Sequence, residues 1–70
     1  MTTAMLWFDN SAEPLKDKIE RAAAYYKQKY GKTPNFCEIN PAMMTGEMPD
    51  GISVIAADER MNNHFWIGAE

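Results

Sequence analysis

Residues 14–31, PLKDKIERAAAYYKQKYG, carry the strongest structural signal in the chain. Apolar side chains recur there at steps of three and four residues, the spacing of one face of an α-helix. Proline, here Pro14, is favoured in the first turn of a helix, and glycine, here Gly31, is favoured where a helix ends. The pattern predicts an amphipathic helix whose buried stripe is Leu15, Ile19, Ala22, Ala23, Tyr26 and Tyr30.

The segment before this helix predicts a strand. Residues 3–8, TAMLWF, are too few for a helix and rich in aromatic side chains, so we expect a strand that is buried on both faces. Asp9, Asn10 and Ser11 follow, and side chains of these types cap helix N-termini.

The segment after the helix predicts a second strand at residues 35–40, NFCEIN. A strand, a helix and a strand in this order indicate a βαβ unit with parallel strands and a right-handed crossover. Asn40 then resembles a helix cap and Pro41 a first helical residue, which predicts one helical turn over 41–44.

Two further strands are expected near the C-terminal end of the sequence. Residues 49–51, PDG, have the composition of a turn, and 52–57, ISVIAA, alternate as a strand does. Residues 64–68, HFWIG, read as a fourth strand, which we expect to form a hairpin with the third.

These elements predict the α+β class, with a single helix packed on a small mixed β-sheet in the order β-α-β-β-β. The length of 70 residues fits one domain that spans residues 1–70. The run from Ile19 to Pro41, with Tyr25-Tyr26 and Tyr30-Gly31, resembles short bacterial and phage α/β proteins, and this resemblance implies no functional residue.

Composition limits the function classes. A net charge of −3 and an isoelectric point near 5.0 disfavour nucleic acid as a partner. The single cysteine, Cys37, excludes an internal disulfide, and we expect a cytoplasmic protein without a signal peptide or a membrane partner. We expect no cofactor and no metal site, because one histidine and one cysteine provide few ligands.

The apolar content gives the leading functional hypothesis. One helix covers one face of a four-stranded sheet, yet the predicted strands have apolar side chains on both faces. A loop containing Met43, Met44 and Met48, or another protein chain, would have to cover the second face. The sequence therefore predicts a non-enzymatic module that binds another protein or associates with itself as a homodimer. Its contact residues would be Trp66, Trp7, Phe36 and those three methionines, with Trp66 favoured over Trp7.

A second hypothesis concerns the helix. Lys18, Arg21, Tyr25 and Lys29 form a stripe beside the buried face, to which an anionic ligand or a nucleic acid would bind. The alternative is a solvated flank in which Asp17 pairs with Arg21.

A third hypothesis is a small enzyme or a metal-dependent site around His64. Glu38, Asp58 and Glu59 are the carboxylates available to a histidine acting as a base or as a ligand. The alternative is a strand-end histidine that makes one hydrogen bond. No nucleophile motif or glycine-rich phosphate loop accompanies it.

Overall fold

The structure is a computed structural model that describes residues 3–70, and it has the predicted α+β class. Strand β1 spans Thr3–Phe8, helix α1 Leu15–Tyr30, β2 Phe36–Ile39, β3 Ser53–Ala56 and β4 His64–Ala69. A short 3-10 helix, Pro41–Met43, lies between β2 and β3. Each element coincides with a predicted segment to within one or two residues.

The sheet has the order β1-β4-β2-β3. Strand β4 is antiparallel to both of its neighbours, and β2 is parallel to β3. Strands β1 and β2 therefore run parallel, as predicted, but β4 lies between them. The predicted β3–β4 hairpin is wrong. Phe65 and Ile67 are fully buried, so the central position of β4 removes the apolar side chains of this strand from solvent. Strand β3 is mostly exposed and forms an edge.

Helix α1 packs on one face of the sheet through the predicted stripe. Leu15, Ile19, Ala22 and Tyr26 are buried, whereas Ala23 is half-buried and Tyr30 is exposed. The hydroxyl of Tyr26 donates a hydrogen bond to the carbonyl of Thr3 at 2.8 Å, which fastens the helix to β1. Gly31 ends the helix with a left-handed φ of 73°, as its position predicts.

The start of α1 differs from the prediction. The helix cap is Pro14, and no side chain makes a capping hydrogen bond. Asp9 instead accepts a hydrogen bond from the backbone N–H of Ser11 at 2.9 Å, and its other carboxylate oxygen lies 3.1 Å from Arg21. These two contacts hold Asp9 in the turn after β1, away from the helix N-terminus.

The two faces of the sheet differ in their cover. Met5 is buried beneath α1, and Trp7 packs against the same core, whereas Leu6 and Phe8 on the opposite face are 58% and 56% exposed. The prediction that β1 is buried on both faces is therefore wrong. We call the side under α1 the covered face and the other side the open face.

The connection from β2 to β3 lies on the covered side. Asn40 accepts a hydrogen bond from the N–H of Ala42 and caps the 3-10 helix, as predicted. Met43 and Met48 pack against the core that α1 covers, and Lys16 of the helix pairs with Glu47 of this connection.

Among residues 3–70 there is no helix with the length and apolar character that a membrane span requires.

Candidate interaction surface

Cross-strand pairing sets the side chains of the open face in rows. Leu6 of β1 lies opposite Trp66 of β4, which lies opposite Glu38 of β2, and Ile55 of β3 follows. The neighbouring row begins with Phe8 and His64, whose rings are 4.9 Å apart. The exposed apolar side chains of this face are Leu6, Phe8 and, at 44%, Ile55.

Trp66 lies half-buried at the centre of the open face beneath a cation. The guanidinium of Arg60 lies 5.2 Å from the Trp66 ring, and its Nε and Nη2 donate to one oxygen of Glu38 at 3.1 and 3.0 Å. Asn40 donates to the backbone carbonyl of Arg60 at 2.9 Å, which fixes this loop residue over the sheet. The ion pair leaves the centre of the open face electrically balanced.

Phe36 lies at the other end of the open face and is only 8% exposed. Its ring extends across Gly68 of β4, because a Cβ built on Gly68 would lie 2.9 Å from Cζ of Phe36. The same Cβ would lie 2.4 Å from the carbonyl oxygen of Thr3. Because Gly68 has no side chain, it leaves room for the ring of Phe36 at this point of the sheet.

Trp7 lies on the covered face, so the expectation that both tryptophans share one contact face is wrong. Its ring packs against Tyr25 of α1 at a centroid distance of 5.1 Å. The indole Nε1 is buried and has no hydrogen-bond partner within residues 3–70. Trp66 is the tryptophan of the open face.

The methionine loop does not cover the open face. Met43 and Met48 fill the margin of the core under α1, and the sulfur of Met43 accepts from the backbone N–H of Asn63 at 3.2 Å. Met44 remains 38% exposed. Their packing on the covered side removes one of the two occupants that the sequence suggested for the second sheet face.

The basic stripe of α1 is partly neutralised from within the chain. Arg21 forms ion pairs with Asp9, at 3.1 Å, and with Glu13, and its predicted partner Asp17 is not among them. The hydrogen bond from the Ser11 backbone, with Arg21 nearby, lowers the pKa of Asp9. Tyr25 lies against Trp7, and both Tyr25 and Lys29 are exposed. Lys18 is half-buried beside them, so two lysines and one tyrosine remain for an anionic ligand.

His64 lies at the start of β4, where its Nδ1 is 2.9 Å from the backbone carbonyl of Asn62. A cavity of about 140 Å³ next to it is lined by Leu6, Glu59, Arg60, Met61 and His64. Glu38 is engaged by Arg60, and Asp58 does not line this cavity. In the part of the chain that the structure describes, no group of three or more histidine, cysteine or acidic side chains is arranged to hold a metal ion.

Sequence reasoning missed several residues of the open face. No sequence pattern identified Arg60 as a residue of this face, because it lies in a polar connection and contacts Trp66 only in the folded chain. Leu6, Phe8 and Ile55 were not predicted as contact residues, although alternation in a strand does separate Leu6 and Phe8 from Met5 and Trp7.

Comparison of the chain with models of protein families, with curated proteins and with solved structures finds no match.

Proposed function

We propose that this chain is a self-association module that docks a second copy of itself on the open face of its sheet. The observation that carries the proposal is the unequal cover of the sheet: Leu6 and Phe8 are more than half exposed on a face without a second layer among residues 3–70. Burial of apolar area contributes about 25 cal/mol per Å², so covering this face would be favourable.

The small size of the domain supports the same conclusion. Domains of this length rarely gain more than about 3–5 kcal/mol from their own core, and proteins supplement small cores by disulfides, metals or oligomerisation. Cys37 is a free, buried thiol. Burial of apolar side chains against a second chain is a further source of stability that this surface offers.

The charge of the open face favours a second copy as the occupant. Each chain carries a net charge of −3, which disfavours contact between two copies in general. At the centre of the open face, however, Arg60 and Glu38 neutralise one another. Two such faces therefore meet without an excess of like charge, and a two-fold axis would use the same apolar residues twice.

The test is the solution mass of wild type and of Trp66→Glu across a concentration series, measured by sedimentation equilibrium. We expect the substitution to weaken association by about tenfold or more, because it places a charge at the centre of the contact. Since Trp66 is only half-buried, the far-UV circular dichroism should change little.

Gln28→Glu is the matched control. It introduces the same charge on the exposed side of α1, and it should associate as wild type does. A wild type that remains a single chain at every concentration would contradict the proposal. A mass for Trp66→Glu equal to that of wild type would exclude the open face as the contact.

A further inference from the structure

The two edges of the sheet differ in how well they are protected against pairing. Strand β3 has only four residues, so it offers a short edge. Strand β1 has six residues, TAMLWF, without a charge, a proline or a glycine. Short strands, charges and prolines are the usual means by which proteins block the edge of a sheet. Strand β1 has none of them.

The register identifies the backbone groups that β1 presents at this edge. The N–H of Asp9 donates to the carbonyl of Asn63 at 3.0 Å and continues the β1–β4 register by one pair. Because hydrogen-bonded residues alternate along an antiparallel strand, Thr3, Met5 and Trp7 direct their backbone groups towards β4. The outward groups belong to Ala4, Leu6 and Phe8, and nothing within residues 3–70 forms a hydrogen bond with them.

We propose that β1 is a pairing edge, to which a second copy of this chain adds its own β1 antiparallel about a two-fold axis through Leu6. The inference rests on the proposed self-association and adds a second surface to it. A two-fold axis perpendicular to the sheet relates two antiparallel strands, so the two copies of α1 lie on the same side of a continuous sheet.

The position of the axis follows from the outward groups. With Leu6 opposite Leu6 of the second copy, Ala4 lies opposite Phe8 of that copy, and every outward N–H and C=O of these residues is paired. With the axis through Met5 instead, the outward groups of Phe8 would lie opposite a residue outside β1. The register through Leu6 therefore satisfies the most backbone groups.

The side chains fit this register on both faces. On the open face, Leu6 meets its own copy, and the apolar residues of the two chains form one continuous surface. On the covered face, Met5 meets Trp7 of the second copy, and methionine makes favourable contacts with aromatic rings. No charged side chain of β1 meets another charge across this interface.

The experiment separates the edge from the open face by using Trp66→Glu as the background. That substitution is designed to block docking on the open face, so association that persists comes from another surface. We expect two chains in this background by sedimentation equilibrium. Adding Ala4→Pro should weaken the association by about tenfold or more, because proline removes an outward N–H that β4 does not use.

Ala4→Ser in the same background is the matched control, since it keeps the amide, and it should remain a dimer. A Trp66→Glu variant that is a single chain at all concentrations would overturn the edge proposal and leave the open-face proposal standing. An Ala4→Pro double variant that remains fully dimeric would also overturn it. Open-ended polymers would instead indicate pairing of β1 with β3.

Cross-linking gives a second readout that does not require the proline variant to fold. Directly opposite residues of a hydrogen-bonded pair have Cα atoms about 5.5 Å apart, within the span of a disulfide. Under mild oxidation in the Trp66→Glu background, Leu6→Cys should form a disulfide-linked dimer at least about tenfold faster than Ile55→Cys, which is exposed on the same face but remote from β1. Equal rates would overturn the proposed register.

Discussion

Cys37 is the side chain whose chemistry the fold alters most. It lies in β2 beneath α1 with no exposed surface. Burial, with the nearby charge of Glu38, raises the pKa of its thiol from 9.0 to about 12. At pH values between 9.0 and about 12, the Cys37 thiol keeps its proton in the folded chain and loses it in the unfolded chain. The contribution of Cys37 to stability is therefore complete below about pH 9 and declines as the pH rises towards 12.

We expect this decline to appear as a difference between wild type and Cys37→Ala. From about pH 8 to about pH 10.5, wild type should lose about 2 kcal/mol more of its unfolding free energy than the variant does, since each pH unit above the unfolded pKa costs about 1.4 kcal/mol. Urea denaturation at the two pH values measures both proteins. Equal losses would show that the folded thiol ionises as readily as the unfolded one.

Residue-level prediction succeeded where periodicity was decisive and failed where contacts join distant parts of the chain. Tyr26 was expected at the centre of the helix stripe, and it is fully buried. Trp7 and Trp66 have similar apolar neighbours in sequence, and only the placement of α1 over one face assigns them to opposite sides. Arg60 reaches Trp66 through the fold of a loop, which no local pattern encodes.

At the scale of elements, Gly68 shows how closely two strands and a side chain meet. Its missing Cβ accommodates the ring of Phe36 and the carbonyl of Thr3. We expect Gly68→Ala to lower the free energy of unfolding by about 1–3 kcal/mol, because the backbone oxygen cannot move away without disturbing the β1–β4 pairing. Urea denaturation measures the loss.

Ser53→Ala is the comparison for this substitution. Ser53 lies opposite Phe36 in the same row of the open face and is exposed, so the change should stay within about 0.5 kcal/mol of wild type. If Gly68→Ala were equally neutral, the close approach of Phe36 to β4 would be wrong.

The order of the strands was the least predictable part of the fold. Sequence pattern identified every strand and the βαβ unit, because alternation and helix periodicity are local properties. It did not place β4 between β1 and β2, since proximity along the chain favours a hairpin with β3. Full burial of Phe65 and Ile67 in the centre of the sheet outweighs that local preference.

At the scale of the whole molecule, charge is distributed very unevenly. Residues 16–32 contain six basic and two acidic side chains, a net charge of +4, whereas the rest of the chain carries −7. Such a separation favours head-to-tail association, in which the basic helix of one copy meets an acidic region of another. The contacts proposed above are different, because a two-fold axis brings identical surfaces together and both surfaces are largely apolar.

Ionic strength distinguishes these two modes of association. Head-to-tail contacts are held by opposite charges, so raising the salt concentration from about 50 to about 500 mM should weaken them strongly. Contacts through the open face and β1 join two chains of net charge −3, whose mutual repulsion salt reduces. We therefore expect the association constant, from sedimentation equilibrium, to stay constant or rise across this range. Lys29→Gln, on the exposed side of α1, should leave that response unchanged. A tenfold decrease with salt, made smaller by Lys29→Gln, would establish the head-to-tail mode instead.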